Sequence, residues 1–590
     1  MNNSKMEFEL VDAKFSNEFL NAFLTKMPVI TIDTETGGLD WKTTNLKLIS
    51  FCISDKETVY IIAPITDEDY AALRKAVNNF LSSYKGLLIF HNAKFDLHIL
   101  KQFSGYNKPD FPFRISDTRL MGGLIDDSQN LSLSKMSEKY LNESKDANGW
   151  TLSNTIDLAA YCAKDSWLTW KLWRILKPLI QKDYYKLYMF ELQLSQALLD
   201  IEEQGINVDC EYLENMRSEL NIEILNYAQE LIDKVGTFNP KSNEQLAEVL
   251  IKLGHPELIG RTKLGNPSVK DKDLKRCNDE YVQKILKIRQ NKDLLANYIE
   301  PYLDKYIIDG KLYPNFNQIA KIKNEDEKII STGRLSSSEP NIQNVNPILR
   351  RAFTVEEGYV HVYFDYSQIE LRILAFLSKE KKLLSAYENN MDVHKQTAEA
   401  LGVSRDMGKR INFSIVYGIG AKSLADYLEI SPEDAVRHIK TFYNTYPNVL
   451  SYNKSMQQFA SVNGYVRNIF GRTRKLQGED CRKACNTIIQ STAADLIKRA
   501  NVSVQEFLKD KKSKAILLIH DEEVIKMPLD EVKYIKDIQK IMEEERLKYG
   551  ITVPTPVTIK YSNTNWAEER EDVDELISGK QYNYTQQGLY

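Results

Sequence analysis

Acidic residues recur in this chain at spacings that would let them share a cation. Asp33 and Glu35 lie two apart at the end of the apolar run MPVITIDTETGGL, and side chains two apart on a strand face the same side. Asn92 and Asp96 in HNAKFDLHIL, and Tyr161 and Asp165 in DLAAYCAKDSWLTWKLW, are each four apart, which places each pair on one face of a helix. Four acidic groups on three elements suit a two-metal site for phosphodiester hydrolysis, with Tyr161 placed to orient the attacking water.

A second constellation occupies the C-terminal half. Asp365 ends YVHVYFD, and His520, Asp521 and Glu522 form the tip between two apolar runs in KAILLIHDEEVIKMP. Only folding can bring these distant carboxylates together, and a pair held at strand ends would suit a hard cation such as Mg²⁺. Arg405, Lys409, Phe413 and Tyr417 step by four through SRDMGKRINFSIVYG, drifting only about 40° per step around a helix. Two cations and then two rings on one stripe suit a triphosphate and a base better than they suit a core. Arg482, Asn486 and Gln490 repeat that spacing in CRKACNTIIQSTAAD, and Arg334, Asn341 and Gln343 sit in the Gly-, Ser- and Pro-rich stretch STGRLSSSEPNIQNV, where they suit hydrogen bonds in a nucleic-acid groove.

The elements needed to position these groups are legible in outline. Alternation in Tyr359 to Phe364 predicts a half-buried strand, with a helix starting near Gln368. Ser404 is the expected N-cap and Gly418 the expected terminator of the Arg405 helix. Between the two constellations, charged helical runs begin near Lys186. Gly205 is expected to end the first of them, and Ser242 with Gln245 to form a capping box. This arm reads as a thumb-like grip whose Arg289 and Lys292 would touch phosphates.

The N-terminal third resembles the DEDDy 3′–5′ exonucleases of the DnaQ-like superfamily, with Asp33 and Glu35, Asp96, and Tyr161 and Asp165 matching in order. The TGRLSS, DYSQIELR, Arg-x3-Lys-x7-Tyr-Gly and HDE segments, together with DVHKQTAEAL and GRTRKL, resemble the Pol I-type (family A) DNA polymerases. The resemblance implies a ribonuclease H-like exonuclease domain followed by a right-hand polymerase, an α/β and α+β multidomain chain. It implies metal ligation by Asp365 and Asp521 with Glu522 beside them. The triphosphate would lie on Arg405, Lys409 and His394, the sugar on Phe413, and Tyr417 would stack at the template position. Glu370 would be the steric gate against a 2′-OH, with Gln368 nearby in the nucleotide site. Arg334, Arg372, Gln490 and His520 would contact primer-template DNA, with Arg482 and Asn486 on the template side. Ser414 and Ser491 stand where that family has Gly, Gln477 where Pro is common, and Glu523 where an apolar residue is expected, departures read as affecting fidelity or packing.

The implied organisation is an exonuclease domain over 1–183, connector and thumb over 184–330, a first palm part over 331–375, fingers over 376–495, and a second palm part over 496–590. The 590 residues are enough for about four domains. A 43% hydrophobic and 27% charged composition is that of a globular protein, and the net charge of −4 says nothing against nucleic acid. Six scattered Cys argue against a zinc site and fit reduced thiols, and no apolar run is long enough for a membrane span. The expectation is a cytoplasmic monomer resembling a phage replicase, without an N-terminal 5′-nuclease domain or a thumb insertion for a processivity partner. It would use primer-template DNA and deoxynucleotides, with two Mg²⁺ ions at the polymerase site and two divalent ions at the exonuclease site. A single-subunit RNA polymerase, a non-catalytic DNA-binding protein and an enzyme with one working site are the alternatives, and Glu370 argues against the first.

Overall fold

The computed structural model describes residues 6–53, 58–108, 110–144, 155–262, 264–319 and 332–578. The expected boundary at 330–331, and Ser331 of the STGRLSSS stretch, lie outside the described residues.

The N-terminal unit is a six-stranded mixed sheet. Its strands are β1 (Phe8–Val11), β2 (Val29–Thr36), β3 (Leu46–Ile53), β4 (Val59–Ile62), β5 (Leu87–Phe90) and β6 (Arg114–Asp117), in the order β1-β4-β3-β2-β5-β6. β2 lies inside the sheet, antiparallel to β3 and parallel to β5. Its Ile30 and Ile32 are fully buried, each contributing roughly 1.5–3 kcal/mol of apolar burial. Helix α1 (Ala93–Ser104) follows β5, and α2 (Thr155–Asp183) packs against β2 and β3.

Helix α3 (Tyr185–Gln204) leads out of this unit, with Tyr188, Leu194, Leu198 and Ile201 buried. Gly205 ends it at φ +63, and the Tyr313 ring fills the space a Cβ would need there, 2.8 Å away. The arm beyond is helical, with α4 (Cys210–Val235) packed against α5 (Glu280–Leu294). Ser242 caps its helix through Gln245 N, but the reciprocal half of the capping box is missing. Gln245 Oε1 accepts from Asn239 N instead, because Ser242 N is taken by Asn239 O. Arg289 is turned inward onto Asp271 (3.2 Å) and the Val269 carbonyl, so it is engaged within the arm.

The C-terminal half is built on β7 (Tyr359–Tyr366), which is followed by α6 (Ile369–Ser378), α7 (Val393–Leu401), α8 (Arg405–Val416) and α9 (Ala484–Leu508). Strands β8 (Lys514–Ile519), β9 (Glu522–Pro528) and β10 (Val557–Ser562) complete an antiparallel sheet in the order β8-β9-β7-β10. The expected half-buried strand is in fact buried on both faces. β7 lies between β9 and β10, and the face carrying His361 and Tyr363 is covered near Arg350 and Glu569. Among the described residues no helix is long and apolar enough to cross a membrane.

A phenol of α3 bonds directly to strand β6 of the N-terminal sheet. Tyr188 Oη accepts from Asp117 N (2.8 Å) and lies 2.7 Å from Ser116 Oγ, both on β6. Tyr188→Phe leaves that buried amide unpaired, and the expected loss is about 1–3 kcal/mol in urea unfolding of this unit. An unchanged midpoint would show that the bond contributes nothing to the attachment.

Candidate active sites

The antiparallel sheet brings the C-terminal carboxylates together. β8 and β9 are joined by His520 and Asp521 alone, with His520 in the left-handed region at φ +56. Tyr366 N donates to the Asp521 carbonyl (3.2 Å), holding the turn against the end of β7. Asp365 pairs across strands with Glu522, so these two side chains project from the same face. Asp365, Asp521 and His520 open on a cavity of about 500 Å³. Burial and the neighbouring Asp521 charge push Asp365 up to about 7, and burial with the Asp365 charge pushes Glu522 up to about 8. Asp521 is raised by burial as well. Three crowded oxygen-ligand carboxyls with raised pKa values fit a hard divalent cation, whose charge would relieve the repulsion.

The opposite wall of the cavity is α8. Ser404 caps it, accepting from Met407 N at 3.2 Å, and Gly418 ends it at φ +70. Arg405, Lys409, Phe413 and Tyr417 all face the cavity, as their spacing predicts. The Phe413 and Tyr417 rings stack at 6.3 Å and 20°, and His394 of α7 lies 5.7 Å from Phe413. Helices α7 and α8 touch closely: a Cβ on Gly408 would lie 2.7 Å from the His394 carbonyl. His394 is buried, 3.0 Å from Asn412 Nδ2, and burial together with the Arg405 and Lys409 cations depresses its pKa. Arg405 is held at 2.5 Å by Asp392.

Gln368, left-handed at φ +55, starts α6 at the cavity floor, and Glu370 occupies the first turn. Glu370 is 5% exposed; Arg334 donates to its Oε1, and the Tyr417 hydroxyl joins the same group. Its Oε2 is buried without a hydrogen-bond partner. Burial raises Glu370 despite the Arg334 charge.

Other expected nucleic-acid contacts are engaged within the protein itself. Arg372 is buried, its guanidinium donating to the Ser367 and Pro554 carbonyls (2.8 and 2.9 Å) and stacked on Tyr387. Asn341 caps a 3-10 turn through Gln343 N, and Gln343 reaches the cavity with its amide donated to the Leu518 carbonyl. The Arg482, Asn486, Gln490 stripe is broken. Arg482 belongs to the 3-10 turn Gly478–Lys483, Asn486 donates to the Tyr417 carbonyl at 3.4 Å, and Gln490 is buried.

In the N-terminal sheet, Asp33 and Glu35 share a face of β2 as expected. Their carboxylate oxygens and Cys162 Sγ all lie within 4.8 Å of one another. Cys162, absent from the sequence reading, comes from α2 one turn before Asp165; its Sγ lies 3.4 Å from Asp33 Oδ2 and 3.2 Å from Ser50 Oγ. Burial, then the Asp33 and Glu35 charges, drive this thiol well above its ordinary pKa. Its adjacency to Tyr161 was the available signal. Asp165 is buried beside it. Asn92 and Asp96 do not share a face. Asn92 is the left-handed residue before α1, with its side-chain Oδ1 accepting from Arg119, whereas Asp96 Oδ1 accepts from Thr34 N (3.1 Å) and Thr34 Oγ1 (2.7 Å). Thr34 separates Asp33 from Glu35, so Asp96 braces β2 between the two ligands. Burial pushes Asp96 up to about 7.

Residues 210–568 match the family described as DNA polymerase family A, over more than half of the chain. This chain belongs to DNA polymerase family A. Residues 8–181 match the family described as 3'-5' exonuclease. The DNA polymerase I of Borreliella burgdorferi is 30% identical over 604 residues, covering 95% of this chain and 65% of that protein. The thermostable DNA polymerase I of Thermus aquaticus is 32% identical over 411 residues, covering 65% of this chain and 48% of that one. The chain thus spans about half to two thirds of the length of these curated relatives. The POL domain of Pol1 from M. smegmatis, solved in complex with DNA primer-template and dNTP, superposes with a TM-score of 0.76 at 24% identity, over 93% of this chain and 98% of that one. It shares the fold: an exonuclease-type sheet followed by a right-hand polymerase.

The four departures from the family A pattern are accommodated locally. Ser414 is buried in α8, and Ser491 Oγ returns its proton to the Ile488 carbonyl (3.3 Å). Gln477 precedes the turn that starts at Gly478. Glu523 points to the face opposite Glu522, where burial pushes it up to about 8.

The acidity of the cavity carboxyls sets a pH dependence. The unfolded chain loses the Asp365 and Glu522 protons near their ordinary values, whereas the folded chain keeps them to about 7 and 8. The folded state therefore binds more protons, and metal-free stability falls as pH rises from about 4 to 8. Asp365→Asn should flatten that slope and stabilise the metal-free protein by about 1–3 kcal/mol at pH 8. An unchanged slope in urea unfolding with chelator would contradict the assigned acidity.

Proposed function

We propose that this chain is a template-directed DNA polymerase that adds deoxynucleotides to a primer 3′-OH, with a 3′–5′ exonuclease that edits the product. The observation that carries this reading is one cavity, with Asp365 and Asp521 on one wall and the Arg405, Lys409, Phe413, Tyr417 stripe on the other. Anionic phosphates fit between two cations and a pair of carboxylates only if a divalent cation lies with the carboxylates. Asp365 and Asp521 are the proposed ligands, and Mg²⁺ bound there would supply charge stabilisation and a more acidic 3′-OH. Arg405 and Lys409 hold the triphosphate, helped by His394. Phe413 packs on the sugar, and Tyr417 occupies the place into which the template base stacks. Gln368 lines the nucleotide floor. Arg334 and His520, both on the cavity wall, face the nascent pair.

Glu370 has two tasks in this reading. Its buried carboxyl closes the space beside the sugar C2′, and it anchors Arg334 and Tyr417 in their positions. In the N-terminal unit, Asp33, Glu35, Asp96 and Asp165 are the proposed divalent-ion set. Tyr161 orients water for removal of a frayed 3′ nucleotide. The proposed domains are 1–183 for the exonuclease, 184–330 for connector and thumb, 331–375 and 496–590 for the palm, and 376–495 for the fingers. The working form is a cytoplasmic monomer on primer-template DNA.

With a 5′-labelled primer on a longer template and Mg²⁺, extension is expected with the four deoxynucleotides and shortening without them. Asp521→Asn should abolish extension by about 100-fold or more while sparing shortening, and Asp33→Asn should do the reverse. Either variant losing both activities, or neither, would overturn the assignment. Glu370→Ala should raise ribonucleotide incorporation roughly 10–100-fold. Unchanged sugar selectivity in that variant would remove Glu370 from the gate.

A further inference from the structure

Helix α3 carries two buried carboxylates that lie outside both candidate active sites. Glu191 and Glu202 are eleven residues apart, roughly 16 Å along the axis. At the C-terminal end, Glu202 is fully buried and accepts from Lys94, from His98 Nε2 (2.8 Å) and from Phe316 N (2.5 Å). Lys94 and His98 flank Asp96 on α1, so this clamp grips the helical turn that braces β2 between Asp33 and Glu35.

At the other end, Glu191 accepts from Arg472, from Lys498 Nζ (2.6 Å) and from Gln318 Nε2 (2.7 Å). Arg472 also bonds Asp495 through Nε at 3.0 Å, so the cluster fastens α3 to α9. The Arg472 guanidinium lies against Gly333, where a Cβ would come within 2.7 Å of Nε, and Gly333 adjoins Arg334. Lys498 itself reaches the polymerase cavity. Burial alone would raise Glu191, but the Lys498 and Arg472 charges hold it at about 2, so this carboxylate stays ionised.

Buried ion clusters of this kind stabilise a fold poorly compared with apolar residues of the same volume, because desolvation offsets the attraction. What they supply is a fixed register, since each charge tolerates only a partner in one place. The two clusters sit on one rigid helix, one beneath each site. We propose that α3 is a strut setting the distance between the synthesis and editing sites, with Glu191 and Glu202 as its positioning residues. The proposal rests on the dual-activity reading above. A mispaired 3′ end leaving the cavity must unpair by a length that this spacing fixes, so a loosened clamp impairs transfer without touching the chemistry.

The test compares excision of a single-stranded oligonucleotide with excision of a mismatched 3′ end on a primer-template. Both are measured in one turnover with Mg²⁺ and a trap for released enzyme, on the full chain. For Glu191→Gln, the single-strand rate should stay within about twofold of the parent, while the mismatched-primer rate falls about fivefold or more. Glu191→Asp keeps the charge with a shorter arm, so it should shift the same ratio by less and decides the matter if Glu191→Gln does not fold. Proportional loss on both substrates, or no change in a variant that melts cooperatively, would overturn the strut. A parent protein that neither extends nor excises would instead overturn the activity reading.

Discussion

Crowding of ionisable carboxyls in a desolvated cleft is the constraint on which the C-terminal half depends. Two unit charges about 4 Å apart repel by about 4 kcal/mol at the effective dielectric of such sites, and Asp365, Asp521 and Glu522 meet at one sheet end. A loop could not hold them there. A central strand buried on both faces, with a two-residue turn bonded to its last amide, gives the backbone no room to relax the repulsion. The lowered acidity of Asp365 and Glu522 records that cost, and a bound cation offsets it.

Cations elsewhere in the cavity are arranged so that they do not collapse onto these carboxylates. Arg405 is held by Asp392 and Arg334 by Glu370, each on its own wall. That leaves the space between the walls for a ligand carrying the opposite charge. The N-terminal sheet uses the same device more sparingly: Asp96 braces Thr34 through one oxygen, between Asp33 and Glu35, whose oxygens lie together beside Cys162. α3 joins the two designs, with an ionised carboxylate at either end.

Much of this was legible in the sequence wherever spacing maps directly onto geometry. The period of four in Arg405 to Tyr417 survives because Ser404 and Gly418 fix both ends of that helix. The Asp33 and Glu35 pair survives because β2 is a regular strand through both residues. Spacing failed where the backbone changed type within the motif. Asn92 adopts a left-handed conformation before α1, and Arg482 falls in a 3-10 turn before α9, so neither shares a face with the residue four later. Long-range partners were beyond its reach. Only its adjacency to Tyr161 hinted at Cys162, and nothing local marks Glu191 as a partner of Lys498, more than 300 residues on. Arg372 shows the converse failure: the resemblance implied a primer-template contact, yet two carbonyls and the Tyr387 ring already engage it.

The central claim is that the sheet end gathers Asp365 and Asp521 into a divalent-cation site facing the α8 cations. Anomalous diffraction from crystals grown with Mn²⁺, primer-template DNA and a non-hydrolysable deoxynucleotide analogue would test it directly. Mn²⁺ peaks contacted by Asp365 and Asp521, with the triphosphate between them and Arg405 and Lys409, are the predicted result. A nucleotide bound elsewhere, or Mn²⁺ peaks that leave either aspartate uncoordinated, would contradict it.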